Sequence, residues 1–125
     1  MADLIKQANK AKNSSYSPYS KFSVGAAVEM KSGKVYTGCN IENASYGLTI
    51  CAERVAIFNG ISSGDTLIKK IAISCQCNEN STSSNMPCGA CLQVIAEFSD
   101  GDIDIQIEDV GNFKLSELFP KPFKL

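Results

Sequence analysis

The sequence predicts an α/β fold, a three-layer helix-sheet-helix sandwich built on a five-stranded mixed sheet. Two observations carry this expectation. Segments with helical spacing interleave with short β-branched or alternating segments, and no linker or internal repeat interrupts them along 125 residues. A chain of this length, 44% hydrophobic and 20% charged, is expected to form a single domain, 1–125, around one core.

Ala2 to Lys12 sets Leu4, Ile5 and Ala8 at helical spacing among Lys and Gln, and the Ser, Tyr and Pro of 13–20 end that helix. Phe22 to Met30 reads as a strand whose small residues let another layer pack closely. Lys31-Ser32-Gly33-Lys34 turns the chain back into a second strand, Val35 to Cys39. A polar loop, 40–50, delivers a helix expected over Cys51 to Asn59, with Gly60 helping to end it. With Thr49 as its cap, Cys51 falls in the first turn, where the helix dipole favours a thiolate. Ile68 to Ser74 is a β-branched third strand. After a Ser- and Asn-rich loop, 75–86, a helix over Cys88 to Phe98 carries Val94, Ile95 and Phe98 on its apolar face. Ile103, Ile105 and Ile107 alternate with polar residues in a fourth strand, 102–108. Phe113 to Leu115 adds a short fifth, and Ser116 to Leu118 begins a turn of helix that Pro120 and Pro122 cut off.

The net charge is −1 and the pI about 5.4, which argues against a broad phosphate-binding surface and against a nucleic-acid polymer as partner. Six cysteines without a secretory start or a long apolar run suggest reduced thiols, a cytoplasmic setting and no membrane partner. Histidine is absent, so any metal must be held by sulfur or carboxylate.

Cys51-Ala52-Glu53 and Pro87-Cys88-Gly89-Ala90-Cys91 together supply three sulfur ligands from two helix starts. Three ligands leave a fourth tetrahedral position open, as catalytic zinc sites do. Glu53 is near enough to carry protons there without ligating. A Cys-Cys-Cys set with a neighbouring Glu is the signature of the zinc deaminases. Cys39, at the end of a strand, reads as core. Cys75 and Cys77 complete no recognisable metal spacing and are assigned no role.

These motifs, with Tyr16-Ser17-Pro18-Tyr19-Ser20-Lys21-Phe22, Gly38-Cys39-Asn40-Ile41-Glu42-Asn43-Ala44, Cys51-Ala52-Glu53-Arg54 and Glu117-Leu118-Phe119-Pro120, resemble the homotetrameric cytidine deaminases over nearly the whole chain. The resemblance implies the cytidine deaminase-like fold and one Zn²⁺ per subunit on Cys51, Cys88 and Cys91. It implies hydrolysis of cytidine and 2′-deoxycytidine in pyrimidine salvage, with Glu53 moving protons from water to ring N3 and then to the departing amine. Asn40 and Glu42 match the residues that bind the ribose 3′ hydroxyl and its surroundings, and Phe22 matches the ring that walls the base. The Ala52 N–H would serve the pyrimidine carbonyl oxygen, and the carbonyl before Pro87 would accept from the amine. Met86 stands where relatives commonly have Ser, a change that a main-chain contact survives. Arg54 would offset thiolate charge, and Tyr46 and Phe123 match positions reaching a neighbouring subunit's pocket. Leu92 departs from the pattern, since relatives often carry a second Arg there, and the expectation is a site with one compensating cation. Two alternatives stay open: a deaminase of another aminopyrimidine nucleoside such as a blasticidin-type antibiotic, and a non-catalytic zinc-stabilised binding module with Cys39 or Cys75 as fourth ligand.

Overall fold

The computed structural model describes residues 3–76 and 85–125. Its strands are β1 (Val24–Met30), β2 (Val35–Cys39), β3 (Ile68–Cys75), β4 (Ser99–Ile107) and β5 (Gly111–Lys114); its helices are α1 (Leu4–Lys12), α2 (Ala52–Ser62), α3 (Gly89–Phe98) and α4 (Leu115–Leu118). The strands form one sheet in the order β2-β1-β3-β4-β5. β1 runs antiparallel to β2 and β3, β3 is parallel to β4, and β5 closes the edge antiparallel to β4. A parallel pair needs a long crossover, and α3 lies within the one joining β3 to β4.

Alternation along the strands assigns the layers. Ala26, Val28 and Met30 of β1 pack with Ile71 and Ile73 of β3 and Ile105 of β4 against Ala52, Ala56 and Ile57 of α2 and Leu92 and Ile95 of α3. The intervening Ala27 and Ala72 face the other way, onto Leu4 and Ala8 of α1. The result is the expected helix-sheet-helix sandwich with a mixed sheet. Each fully buried isoleucine contributes about 1.5–3 kcal/mol through removal from water. Asp3 caps α1, its Oδ1 accepting from Lys6 N at 3.2 Å. A polar contact fixes the same helix to the sheet: Asn9 Nδ2 donates to Glu108 Oε1 at 3.1 Å, and buried Ser74 donates to that oxygen at 2.8 Å.

Several expected boundaries move. Ala2 lies outside the described residues, and the first helix starts at Leu4, directly after its extended cap residue Asp3. β1 starts at Val24, two residues after Phe22. α2 does not end at Gly60 but continues to Ser62, because Gly60 is an internal packing residue: a Cβ there would lie 2.4 Å from Met30 Cε. β4 begins at Ser99, and β5 stops at Lys114, where α4 takes over. The loop at 40–50 is more ordered than its composition suggests. Ile41 and Ile50 exchange two backbone hydrogen bonds at 3.0 Å, and Tyr46–Leu48 forms a short 3-10 helix.

Two glycines permit the close approach of the layers. A Cβ on Gly25 would fall 2.0 Å from Ala8 O of α1, and one on Gly38 would fall 2.4 Å from Ala56 N of α2. Both collisions are with backbone, which cannot rotate away. Gly25→Ala is expected to cost about 3 kcal/mol or more by forcing α1 off the sheet. Urea denaturation checks this, and a midpoint unchanged from wild type would contradict it.

Candidate metal centre and adjoining cavity

Cys51 and Cys88 are the N-cap residues of α2 and α3, with extended backbone and no capping bond from their side chains. Both sulfurs are therefore free to meet in front of the two helix starts. Thr49 does not cap α2; its Oγ1 accepts from Asn43 N at 3.1 Å, within the loop. Cys51 thus precedes the first turn rather than lying in it, yet still sits at the positive end of the helix dipole. Cys51 Sγ and Cys88 Sγ are 3.9 Å apart, and Cys88 Sγ and Cys91 Sγ 3.5 Å. All three sulfurs fall within 4.8 Å of one another.

This spacing fits zinc. Tetrahedral Zn–S bonds of about 2.3 Å set sulfurs roughly 3.8 Å apart. The sulfurs are also electrostatically linked: the Cys91 thiol bonded to Cys51 lowers the Cys51 pKa, with Arg54 contributing, while the same pairing raises that of Cys91. Ionising all three sulfurs at this spacing would require a cation among them. Arg54 Nη2 donates to Cys51 Sγ at 3.5 Å, supplying one compensating charge. Leu92 supplies none and is buried in the apolar core. Among the described residues, neither Cys39 nor Cys75 joins the sulfur cluster. Cys39 is half-buried at the end of β2, whereas Cys75 is buried at the end of β3, where burial pushes its thiol up to about 12. Cys77 lies outside the described residues.

A cavity of about 260 Å³ opens beside the sulfurs. Cys51, Cys88, Ala52 and Glu53 line it together with Phe22, Asn40 and Glu42, so the predicted catalytic and substrate-contacting residues converge. Ala52 is the first residue of α2, so its N–H has no acceptor within the helix. Met86 lies on the same wall, while Tyr46 and Phe123 do not line the cavity and are largely exposed. Ser20, Val24, Thr49, Ile50, Ile73, Cys75 and Asn85 also line it, and sequence reasoning assigned none of them a substrate contact.

The cavity's two carboxyl groups are shifted in opposite directions. Glu53 is 5% exposed, and burial, reinforced by the Cys51 charge, pushes its pKa up to about 7. Glu42 also meets a burial penalty, but hydrogen bonds outweigh it and hold its pKa below the usual value. Those bonds come from the Ser20 hydroxyl, Ser20 N at 3.1 Å and Tyr19 N at 3.0 Å.

The family model described as the cytidine and deoxycytidylate deaminase zinc-binding region matches residues 1–106. The chain belongs to this deaminase family. Among this deaminase family's members, the cytidine deaminase of Halalkalibacterium halodurans is 44% identical, over 96% of this chain and 91% of its own. That of Sporosarcina psychrophila is 42% identical, over 96% and 88%. The crystal structure of cytidine deaminase from Mycobacterium tuberculosis superposes with a TM-score of 0.85 at 38% identity, covering all of both chains. A zinc-binding deaminase family with Cys51, Cys88 and Cys91 grouped to take a metal makes zinc the cofactor.

Proposed function

We propose that this chain hydrolyses cytidine and 2′-deoxycytidine to uridine and 2′-deoxyuridine with release of ammonia. The observation that carries the proposal is one cavity flanked by a three-sulfur cluster and a buried carboxyl, with a second, ionised carboxylate and an amide also on its wall. Cys51, Cys88 and Cys91 would hold zinc, which would supply Lewis-acid activation of water.

The protein's own groups divide the remaining work. Glu53 takes a proton from the attacking water and delivers it to ring N3 as the water oxygen bonds to C4. It then passes the second proton to the amine, so the C4–N bond breaks with ammonia as leaving group. The Ala52 N–H donates to the pyrimidine carbonyl oxygen, the Met86 carbonyl accepts from the amine, and Phe22 walls the base. Asn40 and Glu42 hold the sugar hydroxyl. Arg54 offsets part of the thiolate charge.

We also assign a homotetramer acting in the cytoplasm in pyrimidine salvage, with 1–125 forming one domain. A cavity of about 260 Å³ is just below the range of about 300–1,000 Å³ usual for small-molecule clefts. Exposed Tyr46 and Phe123 are suited to completing a neighbour's pocket. The expected result is loss of cytidine's ultraviolet absorbance on incubation with zinc-loaded protein. If neither cytidine nor 2′-deoxycytidine turns over, the substrate assignment falls, and other aminopyrimidine nucleosides become the candidates.

A further inference from the structure

We infer that Ser15 is a positioning residue for sugar recognition, acting through the side-chain amide of Asn40. Asn40 is 9% exposed and lines the cavity. Its amide orientation is fixed by two partners that cannot exchange roles. Val24 N can only donate, and does so to Oδ1 at 2.9 Å; Phe22 O can only accept, and takes a bond from Nδ2 at 2.8 Å. The Ser15 hydroxyl donates to the second lone pair of Oδ1.

An amide offers two acceptor sites and two N–H donors. Among the described residues both acceptor sites of Asn40 are occupied and one N–H is used, so a single N–H remains for the cavity. Asn40 therefore presents itself to a ligand as a donor only. Glu42, in the same cavity and held as an anion, offers acceptor oxygens. A hydroxyl is the group that uses both, accepting from the amide and donating to the carboxylate. Ser15 enforces the first half of this pairing. It closes the lone pair that a ligand hydroxyl or water would otherwise donate to, and its bond to Oδ1 polarises the amide toward stronger N–H donation. Ser15 Oγ lies 3.1 Å from Ser17 Oγ, which lies 3.3 Å from Ser23 Oγ, so the hydroxyl belongs to a short polar chain rather than to a mobile surface side chain.

The inference rests on the proposed reading of Asn40 as a sugar contact, and the test separates the two. KM and kcat are measured for wild type, Ser15→Ala and Ser15→Thr with 2′-deoxycytidine and 3′-deoxycytidine. Wild type is expected to favour 2′-deoxycytidine, which keeps the 3′ hydroxyl. In Ser15→Ala the KM for 2′-deoxycytidine should rise about fivefold, the worth of one ordinary hydrogen bond. The KM for 3′-deoxycytidine should stay where it was, and Ser15→Thr should recover the wild-type ratio. A wild type indifferent to the 3′ hydroxyl removes the sugar reading and this inference with it. A wild type that discriminates, beside a Ser15→Ala variant with the same ratio, overturns the role of Ser15 alone. A merely structural Ser15 would shift both substrates equally, which also overturns it.

Discussion

Glu53→Gln is expected to keep its zinc and lose about 10⁴-fold in kcat toward cytidine, the upper range for removal of a general acid–base group. The assignment turns on the contrast between the cavity's two carboxylates. Glu42 is held ionised by two backbone N–H groups and the Ser20 hydroxyl, so a proton on it would break bonds already made. Glu53 is buried, with its pKa pushed up to about 7, so it can exchange a proton near neutral pH. A group that serves first as base and then as acid in one turnover needs that balance. Gln keeps the shape and removes only the proton exchange, and Glu53 is not one of the three sulfur ligands. Absorbance-based turnover is measured beside zinc content on the same preparations. A zinc-loaded Glu53→Gln protein within tenfold of wild type would falsify the proton-carrier role.

The layers were legible in the sequence from local pattern, and the metal ligands from the zinc-deaminase signature of Cys51-Ala52-Glu53 with Pro87-Cys88-Gly89-Ala90-Cys91. Ile103, Ile105 and Ile107 alternate as a half-buried strand must, and the fold brings Cys51, Cys88 and Cys91 within 4.8 Å of one another. The miss at Gly60 has a different cause. A glycine near the end of a helical pattern reads as a terminator, but its role here is set by Met30 on β1, thirty residues earlier in the chain. Thr49 failed as a cap for a related reason: its hydroxyl is engaged by Asn43 across the loop. Ser15 and Ser20 carry no local signal of the contacts they make, although Ser20 lies within a family motif. They read as turn residues, and only the fold brings their hydroxyls to Asn40 and Glu42.

Cys88→Ala should abolish stoichiometric zinc and, with it, turnover. Thiolate-held zinc is typically worth about 10–16 kcal/mol, so losing one of three sulfurs is expected to weaken binding by about 10³-fold or more. Cys88 gives a cleaner test than Cys91 because it is exposed, whereas Cys91 is buried and its loss would also open a cavity. Cys75→Ala is the matched control: the residue lines the same cavity but stands outside the sulfur cluster, so its zinc content should remain at one per chain. X-ray absorption on the wild type distinguishes the catalytic reading from a closed structural site. Three sulfurs at about 2.3 Å with one lighter ligand would fit a site that keeps a position for water. Four sulfurs would require Cys39, Cys75 or Cys77 to reach the metal, leaving no position for water and nothing for the Glu53 carboxyl to act upon.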